Sequence, residues 1–495
     1  MTPEVRRGRV GIKIVSLNSG KVVFENESEK YYTPASNMKN FTIAAALETL
    51  GPDFKFKTRV LGPKPDSSGT VKADLRIEGG GDITISTAFF GTSPSDPETY
   101  FKGIDRLVDQ ISAAGVKRIE GDLVGDERYF KGFTIPETWE WDDLQTKDGA
   151  GISALPINDN AVDISVKPGA SAGSPCIVVI SPPNTVFKIV NECSTSSAGS
   201  KGQLKVNKQL NKNEVRVSGS ISSDDKGFAG ILAVSHPADL FLAILKDRLA
   251  KRGIVVTGQT TTVRNPDFHN EITRPGTWNS YPANKPELVP VELARLESPP
   301  LSLIAAKTMK PSQNMYTETI LWALGEASVP SDIGMMIKTD PPYTPQPERP
   351  NSSDLGLAVA KKFRDTVGIP SDAVIQYDGS GMSRHDVITP AAVVQLYTYM
   401  AKQSRYVQVW RDSLSIGGVD GTLRNRFKGT AASGNMRGKT GTLDQVSALS
   451  GYVKTASGEE LIVSIIVNGV PKTADRTGLA DDIVVALANY NGKID

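Results

Sequence analysis

The sequence predicts an α+β fold: one antiparallel sheet with helices on both faces, interrupted by a long β-rich insertion. Three observations carry this. Both ends of the chain read as a strand hairpin followed by a helix. The stretch between Ser36 and Ser312 is rich in short strand patterns punctuated by Gly, Pro and Asn. With 495 residues, the chain is too long for one ordinary core, so two or three domains are expected.

In chain order, 10–17 and 22–25 alternate as strands joined by Asn18-Ser19-Gly20. Pro34 precedes Ser36, which opens an Ala-rich helical run. Phe41, Ala44, Leu47 and Leu50 stand at helical spacing and Gly51 stops the run. Strands are expected near 59–62, 71–78, 122–126, 161–167, 177–180, 187–190, 204–206 and 214–220, as one or two inserted β-rich domains. A helix over 237–253 and a strand over 254–258 belong to the larger insert. Five prolines make 341–350 a loop. Strands over 446–454 and 461–468 follow, joined by a turn at Ser457-Gly458. A last helix over 479–490 puts Leu479, Ile483, Leu487 and Tyr490 on one side.

Composition excludes several function classes. Hydrophobic content is 39% and charged content 22%, ordinary for a globular chain. A net charge of +1 argues against a nucleic-acid or anionic-membrane surface. No apolar run approaches the roughly 20 residues of a membrane span, so no transmembrane segment is expected; the longest, 461–467, reads as a buried strand. No secretory signal is visible, and the chain reaches a strand by Val10. The expectation is an exported, periplasmic or extracellular protein whose signal is absent from this chain. Cys176 and Cys193 flank a strand and a Pro182-Pro183-Asn184 turn. A disulfide fits an oxidising compartment, and two buried thiols fit the spacing as well. Neither a metal site nor a cofactor is expected, because two Cys without nearby His cannot complete a tetrahedral shell. His236, His269 and His385 read as a helix-start residue, a loop residue and a neighbour of Asp386.

Chemistry is concentrated in three short motifs. Lys439-Thr440-Gly441 occurs once, before the strand at 446–454, so its side chains line a sheet edge. Ser36-Asn37-Met38-Lys39 is an SxxK at a helix start, where free N–H groups favour a developing oxyanion. Ser312-Gln313-Asn314 is an SxN. Each is weak alone. SxxK recurs at 223–226 in a turn, and SxN recurs at 16–18 and 433–435. A capping Ser with a surface Lys is the ordinary reading of an isolated SxxK. In the order SxxK, SxN, KTG they are the active-site elements of the penicillin-recognising serine acyl-transferases. Three decoys fail on context. A strand follows Gly169-Ala170-Ser171-Ala172-Gly173 where a nucleophile elbow needs a helix. Gly438-Lys439-Thr440 lacks the earlier Gly and following helix of a P-loop. The Gly79-Gly80-Gly81 run is a turn after a strand.

With these elements placed, the chain resembles the class C low-molecular-mass penicillin-binding proteins, the D-alanyl-D-alanine carboxypeptidase/endopeptidase family. The likeness extends to "IEGGGD" (77–82), "GDLVGDERYF" (121–130), "WEWDD" (139–143), "SPPL" (298–301), "DGSGMSR" (378–384) and "GVDGTL" (418–423). It implies a transpeptidase/β-lactamase-like catalytic domain over 1–60 and 292–495 with two nested β-rich inserts. These are a domain II over 61–160 and 222–291 and a domain III over 161–221. The chain departs from the family at His385-Asp386, where Asn is common, in the 341–350 loop, and at Asp444, where a small polar residue is common.

The expected activity is serine-type D-Ala-D-Ala carboxypeptidase or endopeptidase action on peptidoglycan stem peptides, with β-lactams acylating the same serine. Ser36 is the expected nucleophile. No His is placed to activate it, so Lys39 is the base, its pKa depressed by burial and by Lys439. Ser312 relays the proton, Asn314 holds the substrate amide, and the N–H groups of Ser36 and Thr442 form an oxyanion hole. Lys439 and Thr440 take the terminal carboxylate, with Gly441 and Thr442 completing the KTG edge. The resemblance implies that Asp142 pairs with the amine of a diaminopimelate-type side chain, with Trp139, Ser380, Met382 and Arg384 nearby; an ordinary turn carboxylate is the other reading of Asp142. A β-lactamase or esterase on the same fold, or a sensor that acylates and stops, shares these motifs.

Overall fold

The structure, a computed structural model, describes residues 3–91, 96–264, 289–328 and 350–493. The expected loop at 341–350 (apart from Pro350) and His269 lie outside them. The chain divides into two compact units. The first comprises Met1–Phe54, Pro136–Trp139 and Pro299–Asp495, the second Lys55–Ile135 and Glu140–Ser298.

The first unit is built on a six-stranded antiparallel sheet. Its order is Ser415–Ile416, Arg437–Leu443, Val446–Lys454, Glu460–Asn468, Arg9–Ser16, Val22–Asn26. The two chain ends meet here, with Ile12 opposite Ile465. Alternate residues serve two cores. Leu449, Val453, Val463, Ile465 and Val467 pack with Val484 and Ala488 of the last helix. On the opposite face Tyr452 meets Tyr397 of the helix Pro390–Lys402, ring centroids 5.1 Å apart. Helices therefore cover both faces, which is why these strands read as near-continuous apolar runs. The last helix spans Thr473–Asn489 and starts earlier than the apolar pattern suggests. Its first turn is polar, and the buried Arg476 anchors it to Pro471 O and Ser447 Oγ.

A short 3₁₀ turn, Ala35–Met38, leads into the helix Lys39–Leu50. Every residue from Lys39 to Leu47 is buried, so the helix is central rather than amphipathic. The successive alanines 44–46 leave room for the helices Asn314–Ser328 and Ser352–Val367 beside it. Gly51 ends it at φ +83°.

The second unit carries a five-stranded sheet ordered Thr260–Val263, Leu123–Asp126, Leu75–Glu78, Lys57–Gly62, Val291–Glu297. The first three strands are parallel and the rest antiparallel. The expected strand at 71–78 is two strands in different sheets, Thr70–Val71 and Leu75–Glu78. Between them Asp74 accepts the N–H of Asp122 and turns the chain. The helix Lys102–Ala113, not anticipated, buries Ile104, Leu107, Val108 and Ile111. Two three-stranded sheets lie within 161–233. One pairs Ala161–Lys167 with Ile177–Ser181 and with Phe228–Ala233, a strand that Gly230 and two alanines hid from pattern reading. Cys176 and Cys193 are disulfide-bonded, which decides between the two readings of this pair.

Candidate active site

Ser36 with Lys39, Ser312 with Asn314, and Lys439 come from three segments far apart in sequence, and the first unit brings all five together. Ser36 lies in the 3₁₀ turn rather than in the helix proper, and it remains half-exposed. Lys39 heads the helix, fully buried. Its Nζ lies 3.0 Å from Ser36 Oγ, 2.6 Å from Asn314 Oδ1 and 2.7 Å from Ser380 O. Three oxygens around one Nζ fix the side chain against the serine.

The turn is pinned from both sides. A Cβ on Gly441 would lie 2.5 Å from Pro34 O, so only glycine lets the KTG strand approach. A Cβ on Gly381, at φ +81°, would lie 1.9 Å from Ala35 O. Asn37 Nδ2 donates to Lys439 O at 3.1 Å, tying the turn to the strand Arg437–Leu443. Ala35 and Ser312 both hold positive φ, +47° and +66°. Such strain costs roughly 1–3 kcal/mol per residue and concentrates at functional sites.

Lys439 is also fully buried. Its Nζ donates to Ser312 Oγ at 2.8 Å and Thr440 O at 2.7 Å. Burial, and then the charge of Lys39, hold its pKa well below the usual lysine range. Thr440 Oγ1 donates to Thr422 Oγ1 at 2.7 Å. The outer edge of the KTG strand pairs with Ser415–Ile416 only at Arg437 and Gly438. Beyond Gly438, among the described residues, that edge carries no partner strand and offers backbone groups to an extended peptide.

The residues assigned by resemblance stand differently. Trp139 is buried in the first unit and donates Nε1–H to Asp378 Oδ2 at 2.8 Å. Ser380 is fully buried and meets Lys39 through its carbonyl, and Met382 is buried too. Arg384 is half-buried and donates to Asp444 O at 3.2 Å. Asp142 is an exposed residue of the second unit, opening the 3₁₀ turn Asp143–Gln145 without a side-chain capping bond. Thr442 is exposed on the KTG strand. Among the described residues no group of three or more His, Cys, Asp or Glu is placed to hold a metal.

Sequence reasoning missed Glu318, Asp378 and Thr422. Glu318 is fully buried one turn beyond Asn314, and a lone carboxylate in the apolar run around Ile320–Leu324 was the available signal. Asp378 opens the "DGSGMSR" loop and accepts the N–H groups of Gly381 and Ser383 at 2.6 and 2.8 Å.

The D-Ala-D-Ala carboxypeptidase 3 (S13) family model matches residues 1–274 and 344–490. The chain belongs to this family. A D-alanyl-D-alanine carboxypeptidase of Actinomadura sp. is 30% identical over 494 residues, spanning 97% of this chain and 81% of that relative. The carboxypeptidase also shares its fold with penicillin binding protein 4 (dacB) from Haemophilus influenzae: TM-score 0.77, 22% identity, 98% of this chain and 97% of that one. The same H. influenzae protein complexed with a β-lactam matches at TM-score 0.70 and 21% identity, over 97% and 96% of the chains. The transpeptidase-like α+β class read from sequence is thus the observed one, and the enzyme is a serine-type D-Ala-D-Ala carboxypeptidase.

Proposed function

We propose that this carboxypeptidase removes the terminal D-Ala of peptidoglycan stem peptides through an acyl-enzyme on Ser36, and that β-lactams acylate the same oxygen. The observation that carries the reading is Lys39 Nζ at 3.0 Å from Ser36 Oγ. In the reaction Ser36 Oγ attacks the carbonyl of the penultimate residue and Lys39 takes its proton. The backbone N–H groups of Ser36 and Thr442 receive the oxyanion. Lys439 bonds Ser312, so the pair passes the proton to the leaving amine. A depressed pKa suits Lys439 to that exchange more than to a fixed cationic clamp. The terminal carboxylate then falls to the hydroxyls of Thr440 and Thr422. The substrate backbone lies along the open KTG edge. Asn314 serves Lys39 and holds the substrate amide. Asp142 receives a free side-chain amine of the stem peptide.

In this reading the second unit comprises two nested domains, the smaller holding the disulfide. Such a bond fits an exported protein, and no described helix is long and apolar enough to cross a membrane. The test is release of free D-Ala from a D-Ala-D-Ala-terminated stem peptide by wild type and Ser36→Ala. Steady turnover that Ser36→Ala abolishes is expected. Undiminished release by Ser36→Ala would sink the reading, and a single burst without turnover would leave an acylating sensor.

A further inference from the structure

Glu318 stands one turn beyond Asn314 on the helix Asn314–Ser328, fully buried. Its two carboxylate oxygens take separate backbone donors. Oε2 accepts the N–H of Gly379 at 3.0 Å and Oε1 that of Ser380 at 2.7 Å. The carbonyl of the same Ser380 accepts Lys39 Nζ at 2.7 Å. One helix therefore holds Lys39 at two points, directly through Asn314 and indirectly through Glu318 and the Ser380 backbone. The loop between them has little slack: Gly381 touches the Ser36 turn, and Thr42 Oγ1 donates to Gly379 O at 2.8 Å.

We infer that Glu318 is a positioning residue for acyl transfer, fixing the Ser380 carbonyl against Lys39 and supplying the counter-charge for the ammonium that forms there. The inference rests on the Ser36–Lys39 reading above. As the bond from Ser36 Oγ to the substrate carbonyl carbon forms, the serine proton moves to Lys39 Nζ. The new cation is held by Asn314 Oδ1 and Ser380 O, with the Glu318 carboxylate behind them. It is discharged when the C–N bond breaks and the proton leaves on the amine of D-Ala. A glutamine would fill the space but could accept only one of the two N–H groups.

Burial governs this carboxyl more than the charges around it do. Asp378 and Asp386 face it from the loop and Lys39 from the central helix; Lys439 faces Lys39 from the KTG strand, and Arg364 faces Asp386 from the helix Ser352–Val367. Burial and then Asp378 raise the pKa of Glu318 to about 8, against its two N–H donors and Lys39, so the carboxyl carries its charge on the alkaline side of neutral. Burial and the charge of Asp378 also push Asp386 well above the carboxylate range, so it is a weak competitor for the role.

The test measures penicillin acylation rates of the full chain from acid to alkaline pH for wild type, Glu318→Gln and Glu318→Asp. General-base catalysis contributes roughly 10²–10⁴ in rate, so Glu318→Gln should lose about ten-fold or more. Without the anion Lys39 deprotonates more easily, so the rising limb of the profile should move down by about one pH unit. Glu318→Asp should restore part of both effects. An unchanged rate, or a slower rate with an unmoved limb, overturns the inference. If Glu318→Gln does not fold, Glu318→Asp alone decides: a smaller downward shift supports it and an unmoved limb overturns it. The adduct should map to Ser36 in every variant; an adduct elsewhere would overturn the proposed function and this inference with it.

Discussion

Two lysine side chains, Lys39 and Lys439, lie fully buried in one site, and each takes two or more oxygen acceptors. A fold selected for stability alone would not keep both, since burying a cation costs several kcal/mol unless it is paired or neutral. For Lys439, burial and then the charge of Lys39 hold the pKa well below the usual lysine range. The sign of the consequence follows from linkage. A folded-state lysine with a depressed pKa binds fewer protons than the unfolded chain. Stability therefore rises with pH between that depressed value and the ordinary lysine value near ~10.4. Lys439→Met should be more stable than wild type at neutral pH, by about 1 kcal/mol or more, while losing activity. Denaturant titration across alkaline pH should show the gap closing as pH approaches the ordinary lysine range. A gap that widens would contradict a depressed Lys439 pKa. Asp142 provides a second test at this scale. An exposed ion pair contributes about 1 kcal/mol or less, so Asp142→Asn should lower kcat/KM roughly five-fold for stem peptides with a free side-chain amine. Acetylated peptides should be unaffected; equal losses on both would leave Asp142 a turn carboxylate.

Between elements, the contact that matters most joins the 3₁₀ turn carrying Ser36 to the KTG strand. It depends on Gly441, where a Cβ would meet Pro34 O at 2.5 Å and Asn37 N at 3.1 Å. Gly441→Ala must push strand and turn apart. Since misplacement by about 1 Å can cost 10²-fold, penicillin acylation should fall by at least ~10-fold. Near-wild-type acylation by a folded Gly441→Ala would show that the approach is not needed. Sequence made this junction legible because Gly in KTG and Ser in SxxK are local signals in a fixed order. The terminal strands were legible for a similar reason, because two-sided burial leaves near-continuous apolar runs such as 461–467, interrupted only by Ser464. What stayed hidden was non-local or irregular. The strand Phe228–Ala233 lacks alternation, and the polar first turn of the last helix lacks an apolar period. Nothing local tells that Glu318 bonds a loop some sixty residues away. Neighbours of this kind exist only once the helix and the loop are folded together.

At the scale of the whole molecule, Ser36, Lys39, Ser312, Asn314 and Lys439 all belong to the first unit, and the disulfide to the second. Cys176 and Cys193 are 17 positions apart, and a loop of that size contributes about 3 kcal/mol. Cys176→Ser with Cys193→Ser should weaken the second unit by about that amount in denaturant while penicillin acylation proceeds at the wild-type rate. Slowed acylation would show that the inserted sequence shapes the site. The central claim is that Ser36, activated by Lys39, is the acylated oxygen, and peptide mapping by mass spectrometry after penicillin treatment tests it most directly. Wild type should carry one penicilloyl group on the peptide containing Ser36, Lys39→Met should be labelled at least ~100-fold more slowly, and Ser36→Ala should carry none. An adduct on Ser36→Ala, or on any other serine of the wild type, would contradict the account.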